Sequence, residues 1–218
     1  MTKVVLSFLL ITLTAGGMDA GPINRGARAG SSENPTLTFD SERYTLAYVG
    51  HSQAGPFNEY VRQGENLDTW TKMVGVYTYQ NQHSARDFAL TLQRTVRQNN
   101  PNAPCNLTFI PENGEAIVDF VATADKPKRI FELNIFRLQT SGEDVVAYQF
   151  AVRVYGPNRI PETELASSKQ RWMSLIKVVE IRKLAGRLER LETQVLFDKL
   201  GVAAVPFLPQ TWQGSRAV

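Results

Sequence analysis

Between Cys105 and Gly156 the chain carries four strand-like segments in close succession, CNLTFIP, EAIVDFVATA, KRIFELNIFRLQ and EDVVAYQFAVRVYG. Only ENG, DKP and TSGE separate them. Separators of this kind are hairpin turns, so the four segments are expected to pair as an antiparallel meander. The last of them alternates most clearly. It sets Val146, Tyr148, Phe150, Val152 and Val154 on one face and Ala147, Gln149, Ala151 and Arg153 on the other. A pleated strand sends successive side chains to opposite faces, so one face of the sheet should be core and the other tolerably polar.

Upstream, LTFDSERYTLAYV reads as one or two short strands, FNEYVRQ as another and VYTYQ as a further one. Between the last two, Asn66 can cap a short helix, with Asp68 in its first turn. Trp70, Met73 and Val74 then follow at helical spacing up to Gly75. A longer helix is expected over SARDFALTLQRTVRQNN. Ser84 and Asp87 make a start resembling a capping box, Ala85, Phe88, Ala89, Leu92 and Val96 form the apolar stripe, and Pro101 follows the stop. A second long helical pattern begins at Glu162 with Leu165, Trp172, Leu175, Ile176 and Val179. A further apolar series, Leu184, Leu188, Leu191 and Val195, continues past Gly186. The expected fold class is therefore α+β: a mainly antiparallel sheet of about six to seven strands, two main helices packed on it, and a C-terminal helical extension.

The ends divide the chain further. Lys3, the apolar run Val4 to Leu13 and the small residues after it have the layout of a secretory signal peptide, with cleavage after Ala15 or Ala20. A membrane-spanning helix needs about 20 apolar residues, so no span is expected in the mature chain. The predicted organisation is a signal peptide over 1–20, a disordered lead-in over 21–36, an α+β domain over 37–186 and a helical extension and tail over 187–218. The expected location is periplasmic or secreted. Loss of residues 1–20 removes Lys3 and Asp19 together and leaves the net charge at +3. This is too mild a bias to mark a nucleic-acid-binding protein.

Reactive constellations are sparse. His51 and His83 are the only histidines and Cys105 the only cysteine. No clustered metal-ligand spacing, nucleophile elbow, phosphate loop or dinucleotide fingerprint is present. No cofactor is expected. Cys105 with either histidine would supply a thiol and its base, which keeps a secreted hydrolase as the alternative. APCNLTF, however, reads as a strand start, not as a helix N-terminus that would lower a thiol pKa. The basic series along the second long helix is interleaved with Glu180, Glu189 and Glu192, the pattern of a salt-bridged exposed face. Candidate binding residues are the large side chains Trp70, Met73, Phe207 and Trp212. Trp70 and Met73, at helical spacing beside a strand, also suit a core seam.

Glu59-Tyr60-Val61, Gly64-Glu65-Asn66 and Trp70-Thr71-Lys72-Met73-Val74 together resemble a pattern of small exported bacterial proteins of unknown function. The order of glycine turn, Trp-bearing helix, strand, long helix, meander and final helix is similar in outline to the PsbP/Mog1-like α+β sandwich. That resemblance implies adaptors and assembly factors more than catalysts, and it transfers no catalytic residue. The function expected from the sequence is a non-enzymatic exported protein that acts by binding or assembly in the bacterial cell envelope. Its partner would be an envelope protein or a second copy engaged through residues 187–218.

Overall fold

The computed structural model describes residues 35–125, 130–156 and 162–181. Eight strands and two helices follow in the order β1 (Thr36–Phe39), β2 (Glu42–Ser52), β3 (Gly55–Arg62), β4 (Lys72–Tyr79), α1 (Ala85–Asn99), β5 (Cys105–Ile110), β6 (Glu115–Asp125), β7 (Ile130–Ser141), β8 (Asp144–Val154) and α2 (Glu162–Ile176). The strands form one sheet in the order β1-β2-β3-β4-β8-β7-β6-β5. Every neighbouring pair is antiparallel. Two four-strand meanders are thus joined side by side along β4 and β8, and α1 carries the chain from one to the other.

The helices lie on opposite faces. Ser84 caps α1 by accepting a hydrogen bond from the Asp87 amide, and the Ala85 amide donates to Thr140 Oγ1 at 2.9 Å, which ties the helix start to β7. The stripe Ala85, Phe88, Ala89, Leu92 and Val96 is buried against Val118, Phe120, Phe136, Leu138, Val145 and Ala147. On the other face Trp172 and Ile176 of α2 enter a cluster with Tyr44, Tyr60, Val74, Tyr148 and Phe150, and the Phe150 and Trp172 ring centroids are 5.1 Å apart. Polar anchors fix α2 in place. Trp172 Nε1 donates to Asp40 Oδ2 at 2.9 Å, Arg171 pairs with Asp40, and Lys169 pairs with Asp119. Arg137 donates to the carbonyls of Ile176 and Val179 at 2.9 and 2.8 Å, satisfying helix-end acceptors that have no partner within the helix.

The structure corrects the expected architecture in three respects. Among the described residues the sheet has eight strands, not six to seven. One reason is that LTFDSERYTLAYV breaks at Asp40 and Ser41, both left-handed (φ 52° and 62°), into a two-residue hairpin that pairs Phe39 with Glu42. The short helix expected around Trp70 is absent. Asn66 does cap a turn, its Oδ1 accepting from the Asp68 and Thr69 amides at 2.9 and 3.1 Å, but Lys72, Met73 and Val74 are already in β4 opposite Val152, Ala151 and Phe150. Met73 therefore faces the α1 side and Val74 the α2 side. Finally, two helices are found among the described residues, and α2 ends at Ile176, short of the expected Val179, where Arg137 takes up the Ile176 carbonyl and that of Val179 just beyond the helix. The predicted signal peptide and most of the lead-in, together with the helical extension at 187–218, lie outside the described residues.

Candidate functional site

On the α1 side of the sheet, α1 covers one end, over β5 to β8. The loop from Gln63 to Thr71 covers the other, where Trp70 packs with Val61, Met73 and Ala151. Glu65 holds that loop closed by accepting from the Thr71 amide at 2.9 Å and from the Thr71 hydroxyl. Tyr155 Oη donates to the Trp70 carbonyl at 2.9 Å. Arg153 lies over the Trp70 ring, 3.9 Å from its centroid, a favourable cation–π position.

Between these two covers a line of polar side chains crosses four strands. The inward positions of β3, β4, β8 and β7 supply Glu59, Tyr77, Gln149, Arg153, Asn134 and Glu132. Glu59, Asn134, Gln149 and Arg153 are all buried, Glu59 with only 3% of its surface exposed. Gly75 makes the line continuous. It sits opposite Glu59 on one side and Gln149 on the other. With no side chain there, the Tyr77 ring lies across the vacant position, and a Cβ at Gly75 would stand 2.3 to 2.7 Å from ring and hydroxyl atoms.

The hydrogen bonds run in sequence. Tyr77 Oη lies 2.6 Å from Gln149 Oε1 and 3.3 Å from Glu59 Oε1. Gln149 Nε2 donates to Asn134 Oδ1 at 2.7 Å, and Asn134 Nδ2 donates to the Glu132 carbonyl at 3.4 Å. The Glu132 side chain accepts from Arg153 Nε at 2.7 Å. Burial pushes the Glu59 carboxyl up to about 7, against the opposing pull of the Tyr77 hydrogen bond and the Arg153 charge. Burial, then the Glu59 charge, holds the Tyr77 phenol well above its ordinary range. Burial likewise raises Glu132, against Arg153.

Of the candidate binding residues, Trp70 and Met73 are brought together in the cluster at the edge of this line, with 1% and 4% exposed. Phe207 and Trp212 lie outside the described residues. The hydrolase candidates are not assembled. His51 on β2 and Cys105 on β5 are six strand positions apart in the sheet, about 29 Å at the usual strand spacing. His83 precedes the start of α1, whereas Cys105 lies beside its end, where Arg97 Nη2 donates to the Cys105 carbonyl at 3.3 Å. The helix between them is about 22 Å long. Cys105 is buried, and burial holds its thiol above the ordinary value, the opposite of activation.

Sequence reasoning missed the polar line itself. Its signal was available: Glu59 falls between Phe57 and Val61 at alternate positions, and Asn134 is in step with Phe136 and Leu138. Alternation places Gln149 and Arg153 on a tolerably polar face, but that face is covered. Among the described residues no three His, Cys, Asp or Glu side chains stand together as a metal site, and no helix is long and apolar enough to cross a membrane.

The chain belongs to an uncharacterised family whose profile matches residues 32–192. No curated protein and no solved structure matches it significantly.

Proposed function

We propose that this protein is an exported, non-catalytic component of the bacterial cell envelope that acts by binding or assembly. The observation that carries the reading is the fate of its polar interior. Glu59, Tyr77, Gln149, Asn134, Glu132 and Arg153 are engaged with one another, and His51, His83 and Cys105 are dispersed. A hydrolase built on a cysteine and a histidine needs the thiol and its base within hydrogen-bond reach of each other. The outline likeness to the PsbP/Mog1-like sandwich supports an adaptor or assembly role, because helices cover both faces of an antiparallel sheet here. Export is supported by the N-terminal layout, and the family match begins only at residue 32.

Two measurements test the reading. Fractionation of a bacterium expressing the chain should place it in the periplasm or medium, with a mass reduced by loss of residues 1–15 or 1–20. The purified mature protein should leave ester, amide and phosphoester substrates intact. Turnover that disappears in a folded His51→Ala/His83→Ala/Cys105→Ala variant would establish the hydrolase instead, and a full-length cytoplasmic product would remove the envelope role.

A further inference from the structure

The polar line has a fixed direction, and that direction assigns a proton. Its far end is the Glu132 carbonyl, which can only accept, so the Asn134 group facing it must be Nδ2. Asn134 Oδ1 then faces Gln149, which must present Nε2. Gln149 Oε1 is thereby turned toward Tyr77, and at 2.6 Å the Tyr77 hydroxyl must donate to it. A phenol has one proton. With that proton given to Gln149, the Tyr77 oxygen can meet Glu59 only by accepting, so Glu59 must carry a proton of its own.

We propose that Glu59 is a buried proton-binding site that couples pH to the closure of this face of the sheet. As the neutral acid it heads an unbroken run of donors from Glu59 through Tyr77, Gln149 and Asn134 to the Glu132 carbonyl. When the proton leaves, the carboxylate competes for the Tyr77 hydroxyl. Tyr77 can then serve Glu59 or Gln149 but not both, and the short Tyr77–Gln149 contact loses its proton. The groups that face Glu59 are Tyr48 on β2, Tyr77 on β4, Arg153 on β8 and Glu132 on β7. The one cation among them, Arg153, is committed to Glu132 and to the Trp70 ring. It cannot turn to an ionised Glu59 without releasing the Trp70 loop. Deprotonation therefore loosens the cover formed by residues 63–71, while α1 at the other end keeps its own apolar seat. The inference rests on this geometry alone and stands whatever the protein binds.

Infrared spectroscopy and amide exchange test the proposal on the mature protein. A carboxylic-acid C=O band present at mildly acid pH should vanish reversibly on titration through neutrality and be absent from Glu59→Gln, whose amide reproduces the neutral acid. Amides of residues 66–77 in the wild type, corrected for intrinsic rate, should exchange about tenfold faster above the titration than below it. In Glu59→Gln they should not change. A Glu59 carboxyl that stays ionised, or stays neutral, throughout the folded range overturns the proposal. So does titration that leaves exchange at 66–77 unmoved, or a Glu59→Gln protein that fails to fold.

Discussion

Arg137 and Glu115 meet beneath the end of α2 through two hydrogen bonds, Nε to Oε2 at 2.6 Å and Nη2 to Oε1 at 3.0 Å. Nη1 of the same guanidinium reaches the Ile176 and Val179 carbonyls. Gln139 Nε2 donates to Glu115 Oε1 at 2.8 Å. The pair thus serves a role that neither residue could fill alone, holding a helix end against the sheet in a buried site. Arg137→Ala should cost about 3–5 kcal/mol, since it leaves a buried carboxylate unpaired. Chemical denaturation measures the loss. Glu115→Gln/Arg137→Met, which removes both charges, should recover part of it.

Gly75→Ala should destabilise the protein by about 1–3 kcal/mol, the usual cost of forcing a methyl into a packed interior. The added Cβ would overlap the Tyr77 ring. The ring must move off Gln149, so the melting temperature should fall and the Tyr77 environment, read by its ring resonances, should change. A variant as stable as the wild type would show that Tyr77 does not occupy this position.

Tyr77→Phe removes the hydroxyl and keeps the ring. Gln149 Oε1 then loses its donor and Glu59 its partner, a penalty of about 1–3 kcal/mol by comparison with other buried unsatisfied groups. Neutral Glu59 also loses the acceptor for its proton. Chemical denaturation at mildly acid pH, where Glu59 keeps its proton, measures the loss, and a variant as stable as the wild type would contradict the assigned hydrogen bonds.

Trp70→Ala should lower stability by about 3–5 kcal/mol, the typical cost of truncating a buried tryptophan. Trp70 is 1% exposed and seated on Val61, Met73 and Ala151. Thermal unfolding checks this, and an unchanged transition would make Trp70 a surface contact residue.

These elements differ in how openly the sequence announces them. The α1 helix was legible because its evidence is local: a cap at Ser84 and five apolar residues at helical spacing. The meander from β5 to β8 was legible because its turns are short and its strands alternate. Trp70, Met73 and Val74 misled because a spacing of three and four suits a helix, whereas pairing of Lys72 to Tyr79 with Val145 to Val152 across the sheet decided the matter. Long-range pairing leaves no such local mark. The polar line was illegible for the same reason. Whether Glu59 or Gln149 faces water depends on what covers the sheet, and the cover comes from residues 63–71 and α1, distant in sequence from β8.

The sign of the pH dependence follows from Glu59. Its folded value, about 7, lies above the ordinary 4.5. Between these values the unfolded chain has released a proton that the folded chain keeps, so folding stability falls as pH rises through the window and levels off above it. The loss amounts to about 3 kcal/mol, as 1.36 kcal/mol accompanies each unit.

The most direct test is urea unfolding of the wild type and Glu59→Gln, each at about pH 5 and about pH 8. Differencing the two proteins removes the contributions of the titrating groups that do not interact with Glu59. The account predicts that the two are similarly stable at the lower pH and that Glu59→Gln is more stable by about 3 kcal/mol at the higher pH. Equal stability at both pH values, or a Glu59→Gln protein weaker at the higher pH, would contradict a buried neutral acid at the head of the chain.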